Sequence, residues 1–134
     1  MTAKIKYSGG YKYQLREDAI TDVGIPVHAV TEWIQLQEGK LYIRKGYAWD
    51  GPSGPTIDTQ NFMRGSLVHD ALYQLIRLGK LNGCMREEAD KILRRICLED
   101  GMSRIRAWWV YQGVKWFGGP CTDGKAEPKI QEAP

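Results

Sequence analysis

From Ser66 to Arg77 the chain reads SLVHDALYQLIR, and its apolar residues recur three and four apart. Leu67, Val68, Ala71, Leu72, Leu75 and Ile76 fall on one side of a helix, with Ser66 in place to cap the first turn. The preceding half of the chain has the other period. AKIKYSGGYKYQLRE (residues 3–17) alternates around Ser8-Gly9-Gly10, and EWIQLQEGKLYIRKGY (residues 32–47) alternates around Glu38-Gly39-Lys40. Both read as hairpins, the second with Trp33, Leu41 and Ile43 directed inward, and Gly24 and Pro26 break the chain between them. The change of period near Ser66 defines the class as α+β, with N-terminal antiparallel β hairpins or sheet followed by three C-terminal helices.

Residues 46–65, GYAWDGPSGPTIDTQNFMRG, read as loop, because Gly51, Pro52, Gly54 and Pro55 interrupt regular structure. Trp49, Phe62 and Met63 are expected to tie this loop to the body. A second helix starts near Arg86, carries Ala89, Ile92, Leu93, Ile96 and Cys97, and stops at Gly101. Ser103 caps a third, RIRAWWVYQGVKWFG, expected to lie across the sheet with one edge exposed. Trp109 and Trp116 are assigned to the core and Trp108 to either side. Trp108 with Arg104 and Lys115 is a candidate membrane or partner surface. Residues 1–119 form one α+β domain in this reading, and residues 120–134 form a loose or partner-binding tail.

A length of 134 residues suits one domain, and 43% hydrophobic with 26% charged residues is ordinary for a folded one. The net charge of +3 comes without a Lys/Arg run, so there is no strong nucleic-acid signal. Cys84, Cys97 and Cys121 lack CxxC spacing, which speaks against a zinc site and for reduced thiols. The first residues lack the apolar centre of a signal peptide, and no apolar run is long enough to be a transmembrane segment. Synthesis and residence in a cytoplasm are expected.

Within the first helix, His69 and Tyr73 are four residues apart and share a face, beside a stripe of Val68, Leu72 and Leu75. In the second, Asp90 borders the stripe that Leu93 and Cys97 bury. Antiparallel packing of the two helices brings Asp90 to His69. A carboxylate on one imidazole nitrogen leaves the other as a base able to activate water. The structural alternative is a satisfied histidine at the core edge. Isolated His28, beside Pro26, is assigned to the surface with no role.

His69-Asp70-x-x-Tyr73, followed by Ala89-Asp90 and preceded by a glycine-proline loop, resembles phospholipase A2, especially the compact disulfide-free form in parvovirus capsid proteins. The resemblance implies His69 as general base, Asp90 as its orienting partner and Tyr73 as a brace on Asp90. It implies calcium at Asp70, completed by backbone carbonyls of WDGPSGP, including Gly51 and Gly54. Leu72 stands where the secreted enzymes carry a cysteine. Asp50, if more than a turn residue, joins Asp70 and His69 in a set better suited to zinc or manganese. The structural reading needs no metal.

YAWDGPSGP, SLVHDALYQ, EADKIL and the closing WFGG together resemble a family of small phage and prophage proteins known as a domain of unknown function. That likeness runs from Leu41 to Gly119. It implies a bacteriophage setting, synthesis in a bacterial host cytoplasm, incorporation into the virion as an option, and phage structural proteins or a host envelope component as partners. Oligomers fit such a setting. The leading expectation is a metal-dependent hydrolase of phospholipase A2-like layout, acting on an ester in lipid or cell envelope. The alternatives are a non-enzymatic virion or tail assembly component braced by the His/Asp cluster, and a small host-interaction adaptor.

Overall fold

The structure, a computed structural model, describes residues 5–8, 13–49 and 60–118. Seven short strands precede three helices, as the change of period requires. The strands are β1 (Tyr7–Ser8), β2 (Tyr13–Leu15), β3 (Ala19–Asp22), β4 (Ala29–Val30), β5 (Ile34–Gln37), β6 (Lys40–Ile43) and β7 (Ala48–Trp49). They form two antiparallel sheets, ordered β1-β2-β7 and β3-β6-β5-β4.

Register in the larger sheet follows from its buried face. Ile34 pairs with Ile43 and Leu36 with Leu41, while Ala19 and Thr21 face the same β6 residues from the other side. All six are buried, whereas the alternating Ile20, Gln37, Lys40 and Tyr42 are exposed. The β5–β6 turn is Glu38-Gly39, both at positive φ (53° and 76°), as a two-residue primed turn needs. Trp33 departs from the expected inward placement. It is 38% exposed, with its ring beside Gly46, where a Cβ would stand 3.1 Å from it.

The helices are α1 (Gln60–Arg77), α2 (Met85–Glu99) and α3 (Arg104–Gly118). Helix α1 starts seven residues earlier than its Ser66 cap predicts. Ser66 is buried inside the helix and donates its hydroxyl to Met63 O at 2.9 Å, so residues 60–65 are helix rather than loop. Gly65 is tolerated there for a packing reason. A Cβ would lie 2.9 Å from Leu93 Cδ1 and 3.0 Å from Cys97 Sγ, so glycine allows α1 and α2 to approach closely. Ser103 does cap α3, its Oγ accepting the Arg106 N–H at 3.2 Å.

One core joins both sheets to α1 and to the inner side of α2, through Leu15, Ile34, Leu36, Leu41, Leu67, Leu72, Leu75, Ile92 and Ile96. A second, smaller cluster holds Phe62, Leu93, Cys97, Met102, Ala107 and Val110. Helix α3 thus rests on α2 and the first turn of α1, not across a sheet. Trp109 and Trp116 are correspondingly exposed, at 65% and 85%, which corrects their assignment to the core. The cause is size. Ala107, Val110 and Tyr111 fill the inner side of α3 and leave the tryptophans outside. Cys97 is a free, buried core residue, and burial pushes its thiol up to about 12. Cys84 is disulfide-bonded, to a partner outside the described residues, which corrects the expectation of three reduced thiols.

Arg64, 3% exposed, clamps the start of α1 to the end of α2. Its Nη2 reaches Asp100 Oδ1 at 2.9 Å and Glu99 Oε1 at 2.8 Å, and its Nε reaches Asp100 Oδ2 at 3.0 Å. Burial works against the guanidinium charge, but the bonds from Asp100 and Glu99 outweigh it and raise its pKa. Partial burial pushes Glu99 upward too, yet Arg64 and Arg95 hold it below the usual carboxylate range. Replacing Arg64 with Met is expected to cost about 1–2 kcal/mol in urea unfolding, since Asp100 and Glu99 lose their charge-assisted bonds but still reach water. With the folded Glu99 pKa depressed, its contribution is complete above the unfolded value and is lost as pH falls through the folded one. The difference between wild type and Arg64→Met should therefore narrow in acid.

Candidate functional site

Three side chains meet at the α1–α2 seam. His69 Nε2 lies 2.7 Å from Asp90 Oδ1, and the Tyr73 hydroxyl donates to the same oxygen at 2.8 Å. The antiparallel run is evident in the order of contacts: Arg64 meets residues 99 and 100, Gly65 meets Leu93 and Cys97, and His69 with Tyr73 meets Asp90. Asp90 is 3% exposed and the His69 side chain 12%. The carboxylate is therefore buried, while the imidazole keeps a path to solvent. The rings of His69 and Tyr73 lie 4.2 Å apart at 33°, which limits rotation of the histidine.

This geometry fixes the roles of the nitrogens. A carboxylate that accepts at this distance places the bonding proton on Nε2, and the neutral form of that imidazole would keep its lone pair on Nδ1. Nδ1 has no hydrogen-bond partner among the described residues. Burial, and then the bond to Asp90, raise the Tyr73 phenol well above the usual tyrosine range. Tyr73 therefore remains a donor throughout the neutral region.

Asp70 points to the other flank of α1. It lines a shallow cleft with Tyr47, Ala48, Trp49, Gln74 and Arg77, where His69 and Tyr73 take no part. Trp49 closes β7 and is anchored there: its Nε1 donates to Ser66 Oγ at 3.0 Å, and its ring sits 5.9 Å from Tyr7 and 5.7 Å from Tyr13. The Tyr47 hydroxyl donates to Gln74 Oε1 at 2.9 Å. Strand β7 is thus fastened to α1 one turn from Asp70. Asp50, Gly51 and Gly54 lie outside the described residues. Among the described residues, no three His, Cys, Asp or Glu side chains gather as a metal site.

His69, Asp90 and Tyr73 are brought together as the helix spacing implies; Trp108, Arg104 and Lys115 are all exposed on α3. His28 is exposed as expected. The Trp49–Ser66 bond and the Arg64 clamp were not legible, because Ser66 read as a cap and Arg64 as loop.

Residues 27–114 match the family described as protein of unknown function (DUF1353). The chain belongs to that family. Its DUF1353 segment begins before β4, contains α1 and α2 whole, and ends inside α3, so the His69–Asp90–Tyr73 cluster lies within it. No curated protein and no solved structure matches the chain.

In the DUF1353 domain, Tyr73→Phe removes one of the two donors to a buried carboxylate. The substitution is expected to lower stability by about 1.5–3 kcal/mol, the range for hydrogen bonds to charged groups. Urea unfolding of wild type and variant measures it, and a change below about 0.5 kcal/mol would contradict the bond.

Proposed function

We propose that this DUF1353 domain is a hydrolase of phospholipase A2-like layout, with His69 as the base that activates water against an ester in lipid or cell envelope. The observation that carries the reading is the single oxygen Asp90 Oδ1, which receives both His69 Nε2 and the Tyr73 hydroxyl and leaves Nδ1 without a partner among the described residues. In the proposed step Nδ1 takes a proton from water as the oxygen adds to the carbonyl carbon. The imidazolium that forms is stabilised by Asp90, and it returns the proton to the departing alkoxide. Tyr73 keeps Asp90 oriented and touches no reacting atom.

In this reading Asp70 is the carboxylate that would hold a cation, as the likeness to phospholipase A2 implies. Because His69 faces α2 and Asp70 faces β7, a cation at Asp70 would take oxygen ligands rather than the imidazole. That favours calcium over zinc or manganese. Calcium there would polarise the ester carbonyl and stabilise its developing negative charge. The donors besides Asp70 fall outside the described residues, and no step is derived through the ion.

A second reading has its own observation. Asp90 is almost wholly buried and its bonds join two helices, which is also what a structural brace requires. In that reading the domain is a non-enzymatic phage assembly component. The bacteriophage setting and the virion or host-envelope partners belong to the proposal in either form, and their support is the likeness to phage and prophage proteins.

The deciding experiment combines thermal shift and hydrolysis. Calcium is expected to raise the melting temperature of wild type and not of Asp70→Asn. Folded His69→Ala is expected to lose phospholipid ester hydrolysis by at least about a hundredfold. No shift with calcium, zinc or manganese, together with no ester hydrolysis by wild type, would leave the brace.

A further inference from the structure

Helix α3 is apolar on two opposite sides. At 100° per residue, Ala107, Val110, Tyr111 and Val114 face inward, onto α2 and Phe62. Ile105, Trp109 and Trp116 centre on the opposite side, with Trp108 beside them, and they are 74%, 65%, 85% and 43% exposed. Large apolar side chains gathered this way on a soluble face mark a contact surface.

Charge identifies the partner. Between Arg104 and Gly118 the chain carries Arg104, Arg106 and Lys115 and no carboxylate. On the helical projection Arg104 and Lys115 flank the tryptophan ridge on its Tyr111 edge, and Arg106 flanks it on the other. Lys115 Nζ stands 5.7 Å from the Tyr111 ring centre, and Arg94 of α2 stacks over the same ring at 5.7 Å. The apolar ridge therefore lies between two cationic edges.

We propose that this face of α3 docks on the surface of an anionic phospholipid bilayer. The tryptophans and Ile105 would enter the headgroup region, while Arg104, Lys115 and Arg94 meet lipid phosphates from its edge. A second copy of the chain is a poorer occupant, since a two-fold pairing of this ridge sets cationic edges against each other with no carboxylate on the helix to offset them. No described helix is long and apolar enough to cross a membrane, so the contact is along the surface. The docking does not rest on hydrolysis at His69.

Sedimentation of the full chain with vesicles tests it. Binding is expected to phosphatidylglycerol/phosphatidylcholine vesicles, with a blue shift of tryptophan emission, and much less binding to phosphatidylcholine alone. Trp109→Ser/Trp116→Ser should weaken it at least about tenfold, and Lys115→Glu roughly fivefold or more. Both sites are exposed, and thermal unfolding checks that the variants fold. His69→Ala should bind as wild type, so a failure of the hydrolase reading leaves docking intact. Absence of binding to the anionic vesicles, or undiminished binding by the folded variants, would overturn the proposal. So would a dimer in sedimentation velocity that the double tryptophan variant abolishes.

Discussion

Everything that positions the candidate site depends on one buried carboxylate. Asp90 sits on α2 with almost no solvent, and it is kept there by two donors from α1, one turn apart. A carboxylate in that position without both donors would carry an uncompensated desolvation cost. The cost acts in both directions: it requires α1 to present His69 and Tyr73 in register, and it holds the imidazole in one tautomer. Arg64 solves the complementary problem at the far end of the seam, as a buried cation answered by Asp100 and Glu99. Between these polar ties Gly65 brings the two backbones close. The seam is thus specified by polar groups at two levels and by size between them.

The ties separate tasks along α1. The α2 flank carries the imidazole and its orienting groups, and the β7 flank carries Asp70, Gln74 and the Trp49 anchor. Two chemistries that adjoin in sequence, His69 and Asp70, are therefore turned about 100° apart by one residue of helix. In the proposed hydrolase, that separation would let His69 and Asp70 approach one substrate from different sides.

Much of this was legible from residue spacing, and the exceptions have physical causes. The strand alternation at Ile34, Leu36, Leu41 and Ile43 is strict because one face of the sheet is buried and the other is wet. His69, Tyr73 and Asp90 could be assigned to one another because four-residue spacing fixes a face, and a short connection makes the next helix antiparallel. The start of α1 was not legible. Gly65 and Ser66 carry the local signature of a loop followed by a cap, and only the tertiary contacts with Leu93, Cys97 and Trp49 explain them inside a helix. Trp109 and Trp116 misled for a different reason. α3 is apolar around most of its circumference, so periodicity does not say which side is inward, and the contacts of Ala107 and Val110 with α2 and Phe62 do.

The bond from Trp49 to Ser66 reaches beyond packing. It fixes the chain just before residue 50 to the same helix that begins at Gln60, so the intervening residues have both ends held by the core. The entropy of bringing those two points of the chain together is offset by burial of Trp49, Phe62 and Met63. Two stretches of chain 17 residues apart are thereby held against each other within the core, which sets β7 in place against α1.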